Sequence, residues 1–253
     1  LTAKYPYVSG RARDDASQRR WGRLFAAASM ITPLLLGVIV GAIASGSVGA
    51  AAARLAHVER GAAAARGTPD FTSIFVVPWL APFPLAVGAL ALAMFAFLAA
   101  VYLALAARDE ALKDDFRRRA LWSAAALFAT ALLGLTLAPI HAPAIGHGLT
   151  GTGWALPFQV ATGAAALTAI GALWTRRWTL ARLAAAAQVS LMLWGWAFVQ
   201  YPWVIPPAHT LRDSAAPRIT LQLLLWALAL GGTILVPSLF YLFRTFARSN
   251  QEE

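Results

Sequence analysis

The chain has 253 residues, of which 59% are hydrophobic and 13% charged, and its mean hydropathy is +0.63. That balance exceeds what a water-soluble globular domain carries and points to a membrane protein. The net charge of +10 sits in short connections between apolar runs, which argues against a nucleic-acid partner, and the lack of cysteine excludes disulfides, thiolate metal sites and a thiol nucleophile.

The start, LTAKYPYVSGRARDDASQRR, is polar and basic and does not read as a cleavable signal peptide. After it come six stretches free of Asp, Glu, Lys, Arg and His: roughly Leu24–Ala53, Phe71–Ala107, Ala120–Ile140, Gly148–Thr175, Leu183–Ala208 and Ile219–Phe243. About 20 apolar residues cross a bilayer as a helix. The expected fold is therefore all-α: a polytopic transmembrane bundle forming a single integral membrane domain over 1–253, with spans at about 24–46, 83–106, 120–140, 154–175, 183–201 and 219–243.

In the first span Gly37, Gly41 and Ser45 recur at helical spacing, as Ala96, Ala100 and Ala104 do in the second. Such stripes let helices approach closely where lipid gives no hydrophobic drive to pack them. His57 and Glu59 follow in an Ala-rich segment, but their spacing points them to different helix faces and makes no metal site. The second stretch is too long for one helix. Its Pro78, Pro82 and Pro84 divide it into an interfacial or re-entrant lead-in, Phe71–Ala81, and a spanning helix from Phe83 to Ala106.

The next connection, RDEALKDDFRRR, offers the acid-first pairs Asp114/Arg118 and Asp115/Arg119, which suit a solvated helical extension of the third span. A lipid headgroup or acidic partner is the alternative use of its cations. His141 and His147 share PIHAPAIGHGLTGTG, read as an ordered external loop, since no carboxylate or third histidine accompanies them to make a metal site. Trp21, Trp79, Trp122, Trp154, Trp174, Trp178 and Trp203 stand near span ends as an aromatic belt. WLAPFP before the second span and QYPWVIPP before the last suggest a faint parallel repeat of helix pairs.

Basic residues alternate in density between successive connections. One side holds Lys4, Arg11, Arg13, Arg19, Arg20, Arg23, Arg108, Lys113, Arg117, Arg118, Arg119, Arg176, Arg177, Arg182, Arg244 and Arg248. The other holds Arg54, Arg60, Arg66, Arg212 and Arg218. The bias points to a plasma membrane and places both termini of the chain in the cytoplasm.

Haem ligation in a membrane helix needs inward His or Met. The histidines, His57, His141, His147 and His209, lie outside the spans or at their ends, and Met30, Met94 and Met192 read as core filler, so no haem ligand is expected here. Gln159, Gln188, Gln200 and Gln222 are read as packing hydrogen bonds between helices, with a polar lining for a quinone or water path as the alternative. No catalytic, cofactor-binding or metal-binding residue is assigned, and no GxSxG, HExxH, P-loop or dinucleotide motif stands in a supporting context.

Four segments in order, LLLGVIVGAIASG, WLAPFPLAVGALALAMFAFLAAVYLAL, WGWAFVQYPWVIPPAHTLRDSAAP and LVPSLFYLFRTF, resemble subunit II of cytochrome bd-type quinol oxidases. The most specific piece is Trp196 with Tyr201-Pro202 and Pro206, then Thr210-Leu211 and Ala215-Ala216. The resemblance implies a haem-free, non-catalytic subunit of a quinol:oxygen oxidoreductase that generates proton motive force. A partner subunit I would carry haem b and haem d, oxidise quinol and reduce oxygen to water. Membrane lipid, a quinone at the interface and a small single-span accessory subunit are the other partners it implies. Family members have eight spans, so the resemblance also implies an N-terminal pair of helices absent from this chain. A small secondary transporter, with helices broken at Pro33 and Pro237, and an unrelated membrane scaffold are the competing readings.

Overall fold

The computed structural model describes residues 11–59 and 70–249. Lys4, Arg60 and Arg66, used in the charge count above, lie outside them, as do the side chains of Arg11, Arg13, Glu59 and Arg248. The chain divides into two compact units, residues 1–210 and 211–253. Six helices among the described residues are long and apolar enough to cross a membrane, and the molecule is an all-α polytopic bundle.

In the first unit α1 (Arg11–Ala44) is followed by α2 (Ser47–Glu59), then the short α3 (Phe71–Phe75) and α4 (Val77–Leu80). The central helix α5 (Pro82–Ala106) packs on α1, on α6 (Glu110–His141) and on α9 (Trp178–Gln200). Between the last two lie α7 (Pro143–Thr150) and α8 (Ala155–Trp174), the latter paired with α9. A two-stranded hairpin, β1 (Trp203–Ile205) and β2 (His209–Thr210), closes the unit with Trp203 opposite Thr210. The second unit holds one helix, α10 (Arg218–Ser249), whose described side chains are exposed along nearly its whole length.

The proline-divided second stretch folds as its residues dictate. Val76 and Ala81 interrupt the helix, Pro78 falls in the first turn of α4, and Pro82 opens α5 where a missing N–H costs nothing. The charged connection and the third span form one continuous helix, started by Asp109, whose side chain accepts from the Leu112 N–H at 3.3 Å.

The α1–α5 seam runs on glycine. A Cβ on Gly37 would come within 2.6 Å of the Val87 carbonyl oxygen, and one on Gly88 within 2.7 Å of Val38 Cγ2. Gly41 meets the Pro84 Cα in the same way, so the two backbones touch with nothing between them. Farther along, Phe97, Val101, Leu127 and Leu173 are fully buried among Ala93, Ala100, Ala120, Ala169, Ala181 and Ala185, which joins α5, α6, α8 and α9; Ala104 is buried on the same helix as Ala100. Ala96 does not belong to that contact: it is exposed, and Phe97 and Val101 take the buried face in its place. The expected alanine stripe is right for Ala100 and Ala104 and off by one face at its start.

Four further expectations are corrected. The His141–His147 segment is helical, because Pro143 starts α7 and Gly146 lets it fold tightly against Pro139, at 2.8 Å from a Cβ to the proline nitrogen. The fifth spanning helix begins at Trp178, so Arg182 lies in its first turns, where a long side chain reaches back to the boundary. Pro33 and Pro237 break nothing: α1 and α10 continue through them. The two Pro-rich connections also differ, the first forming helical turns and the second the β1–β2 hairpin, with cis bonds at Tyr201–Pro202 and Pro206–Pro207.

At the α1–α2 corner Gly46 adopts φ 75°, a left-handed turn that a side chain would strain. The Pro206 carbonyl lies where its Cβ would be, and Ile205 Cγ2 is 2.9 Å from the position of a Cβ on Gly49. Ser47 Oγ donates to the Ala42 carbonyl at 3.1 Å and the Pro78 carbonyl at 3.2 Å, tying this corner to α4.

Candidate functional site: an apolar groove and a boundary ion cluster

A groove of about 590 Å³ opens between α1, α5, α6, α7, α8 and α9. Its walls are apolar: Leu36 and Val40 from α1, Phe83 and Leu90 from α5, Phe128 and Leu135 from α6, and Leu191 and Val199 from α9. Large side chains on α6 and α8 keep those helices apart where glycine brings α1 and α5 together. Met94 and Met192 line the groove and pack on the buried cluster, as filler should. Met30 does not, being 60% exposed.

Polar groups gather in the first turns of α8. Gln159 Nε2 donates to the Leu149 carbonyl at 2.6 Å, which satisfies an acceptor at the end of α7 and leaves the amide oxygen as an acceptor beside the groove. Thr162 Oγ1 donates to the Phe158 carbonyl at 2.8 Å. Trp154 and Trp196 bring indole rings to the same wall. Trp154, Phe158 and Phe198 meet edge-to-face with centroids 5.7 to 5.9 Å apart, and Gly195 makes room for Phe158. This arrangement suits a lipid-soluble molecule with a long apolar part and a small hydrogen-bonding end.

The other glutamines act locally. Gln200 is buried and its Nε2 donates to the Trp203 and Val204 carbonyls, at 3.3 and 3.4 Å. Gln188 is buried within α9, and Gln222 is exposed on α10. Gln159 thus bonds a backbone carbonyl at the end of α7 and Gln200 bonds those of β1, rather than the side chains of facing helices.

The histidines are dispersed in the fold. His57 is exposed on α2, His141 ends α6, His147 is exposed on α7 and His209 is exposed on β2. Among the described residues no group of three or more His, Cys, Asp or Glu side chains could hold a metal ion.

A cluster of ion pairs stands where α6 begins and α8 turns into α9. Arg119 pairs with Asp115 at 2.9 Å, as spacing predicts. Asp114 does not take Arg118. It holds Arg176 at 2.9 Å and Arg117 at 3.4 Å, while Glu110 holds Lys113 at 2.7 Å and approaches Arg176 at 3.9 Å. The Arg117 contact is an ion pair without a hydrogen bond, since Asp114 Oδ1 and Arg117 Nε are buried with no hydrogen-bond partner. Arg176 reaches across because it occupies the left-handed position after α8, with φ 57°. Its N–H donates to the Leu173 carbonyl at 3.4 Å and the Arg177 N–H to the Ala172 carbonyl at 2.8 Å, the Schellman pattern usually built on glycine.

A search of curated proteins finds no match. Among solved structures, that of the bd oxidase from Geobacillus thermodenitrificans matches with a TM-score of 0.57 and 22% identity, over 71% of this chain and 54% of that one. At that identity the likeness is one of fold, and this chain spans about half the length of the matched one. Residues 4–246 match the family model for cytochrome bd terminal oxidase subunit II. With a match over nearly its whole length, the chain belongs to the cytochrome bd terminal oxidase subunit II family.

Proposed function

We propose that the chain is the haem-free, non-catalytic subunit of a quinol:oxygen oxidoreductase, packed against a subunit I that holds haem b and haem d. The family match over residues 4–246 carries this reading. Six spans built from apolar side chains are consistent with it, since proton and electron chemistry in a membrane is run by ionisable groups and cofactor ligands. In this reading the chain acts as one integral membrane domain over 1–253, in a bacterial plasma membrane, with both termini cytoplasmic. Its contribution is to position helices. Quinol is oxidised and oxygen reduced in the partner, and a quinone or lipid tail occupies the groove between α6 and α8. A small single-span subunit is a further member of the assembly.

The test is isolation of the tagged chain from its native membrane in mild detergent, followed by an absorption spectrum. Haem b and haem d bands that co-elute with the chain and leave with the partner support the proposal. A chain that co-isolates with no haem-bearing partner overturns it. Labelling of single cysteines introduced near Arg118 and Arg212 tests the orientation, which requires access to the first only from the inside.

A further inference from the structure

Every acidic residue at the start of α6 is engaged. Asp109 caps the helix, Glu110 pairs with Lys113, Asp114 with Arg117 and Arg176, and Asp115 with Arg119. Arg118, Arg177 and Arg182 make no ion pair among the described residues, although Asp114 stands at helical spacing from Arg118. The three cations therefore remain as an uncompensated surplus beside a neutralised cluster.

The Asp114–Arg176 bond brings together the helix ends that carry them. Arg118 lies one turn beyond Asp114 on the same face of α6, a rise of about 6 Å. The bond from Asp114 to Arg176 sets the α8–α9 turn beside that face, and Arg177 is the next residue. Arg182 lies one turn into α9 beyond Trp178, which packs on the buried cluster. Trp122, one turn deeper than Arg118, is 78% exposed, and Trp174, at the end of α8, is 69% exposed. Indoles that project outward at the ends of spanning helices mark headgroup depth. Guanidinium groups at that depth meet phosphate oxygens with paired hydrogen bonds.

We propose that Arg118, Arg177 and Arg182, flanked by Trp122 and Trp174, form a docking surface for the headgroup of an anionic phospholipid. The Arg176–Asp114 bond acts as the positioning element that holds the two helix ends at the right separation. The proposal needs only that the spans lie in a bilayer and is independent of the side on which this boundary faces.

The experiment uses the full chain in its native complex, delipidated in detergent and titrated with phosphatidylglycerol or phosphatidylcholine, with bound lipid counted by native mass spectrometry. Retention of phosphatidylglycerol about tenfold tighter than phosphatidylcholine is expected, weakening as salt rises. The variant R118Q/R177Q/R182Q should lose the preference, while R54Q/R212Q, which removes exposed cations elsewhere, should keep it. The single change R177E, in an exposed turn, should by itself lower phosphatidylglycerol retention about fivefold or more, so the proposal stays testable if the triple variant fails to fold. Equal retention of both lipids by the unaltered chain overturns the proposal. So does an unchanged preference in R177E, or an equal loss in R54Q/R212Q. Competition by millimolar inorganic phosphate would assign the arginines to a soluble anion and overturn the lipid as occupant.

Discussion

The α1–α5 seam and the α6–α8 groove are built from the same apolar alphabet and do opposite things. At the seam Gly37, Gly41 and Gly88 remove side chains where the helices cross, and backbone meets backbone. At the groove Phe128, Leu132, Leu135 and Phe158 hold helices apart, and about 590 Å³ is left. In water the second arrangement would collapse, because exposed apolar surface drives closure. In a bilayer lipid tails wet such walls as well as another helix does, so shape decides which contacts close. The seam is therefore structural, and the gap is available to a lipid-soluble guest.

The largest effect should come from filling the seam. Gly88→Leu places a side chain where Val38 and the Leu34 carbonyl already stand, and should cost about 3 kcal/mol or more, read as a fall in the unfolding midpoint in detergent. A cost near zero would show that the glycines are not what joins α1 to α5. Phe97→Ala, which empties the buried cluster beside the seam, should cost about 3 kcal/mol by the same assay.

Ala131→Leu, on the groove wall, has space to enter and should change stability by less than about 0.5 kcal/mol. It should nevertheless lower the amount of quinone or lipid extracted with the complex. A stability loss like that of Gly88→Leu would mean that the groove is packed shut. The smallest effects belong to the boundary. Arg176→Ala breaks partly exposed ion pairs and should cost about 0.5–1 kcal/mol. Arg176→Gly should cost less, because glycine relieves the left-handed backbone that arginine occupies at φ 57°. The reverse order would detach Arg176 from its role as the turn residue.

Much of this was legible in the sequence because a membrane imposes one-dimensional rules. Apolar run length anticipates six helices long and apolar enough to cross a membrane, and proline positions divide Phe71–Ala81 from the helix that follows. Spacing along one helix gave Arg119 to Asp115. What spacing could not give was Asp114 with Arg176, which meet across 62 positions of sequence. Nor could it give the face of Ala96, since an alanine-rich helix carries too little contrast to fix its rotation. The groove is invisible along the sequence for a related reason. A cavity is a mismatch between surfaces of different helices, and its lining from Leu36 to Val199 has no pattern along the chain. Gln159 stands out as polar in the sequence, but its bond to the end of α7 depends on a short helix whose proline- and glycine-rich sequence has the composition of a loop.

The Gly46 corner has a consequence for biosynthesis. Pro206 seals a turn that leaves the ribosome some 160 residues earlier, an interval read directly from the two positions. The α1–α2 bend must therefore wait, incomplete, while seven further helices are made. The hairpin that meets it arrives only when α9 is in place. A pulse-labelled chain should acquire protease resistance at this corner late, after synthesis has passed residue 210, however early α1 itself enters the bilayer.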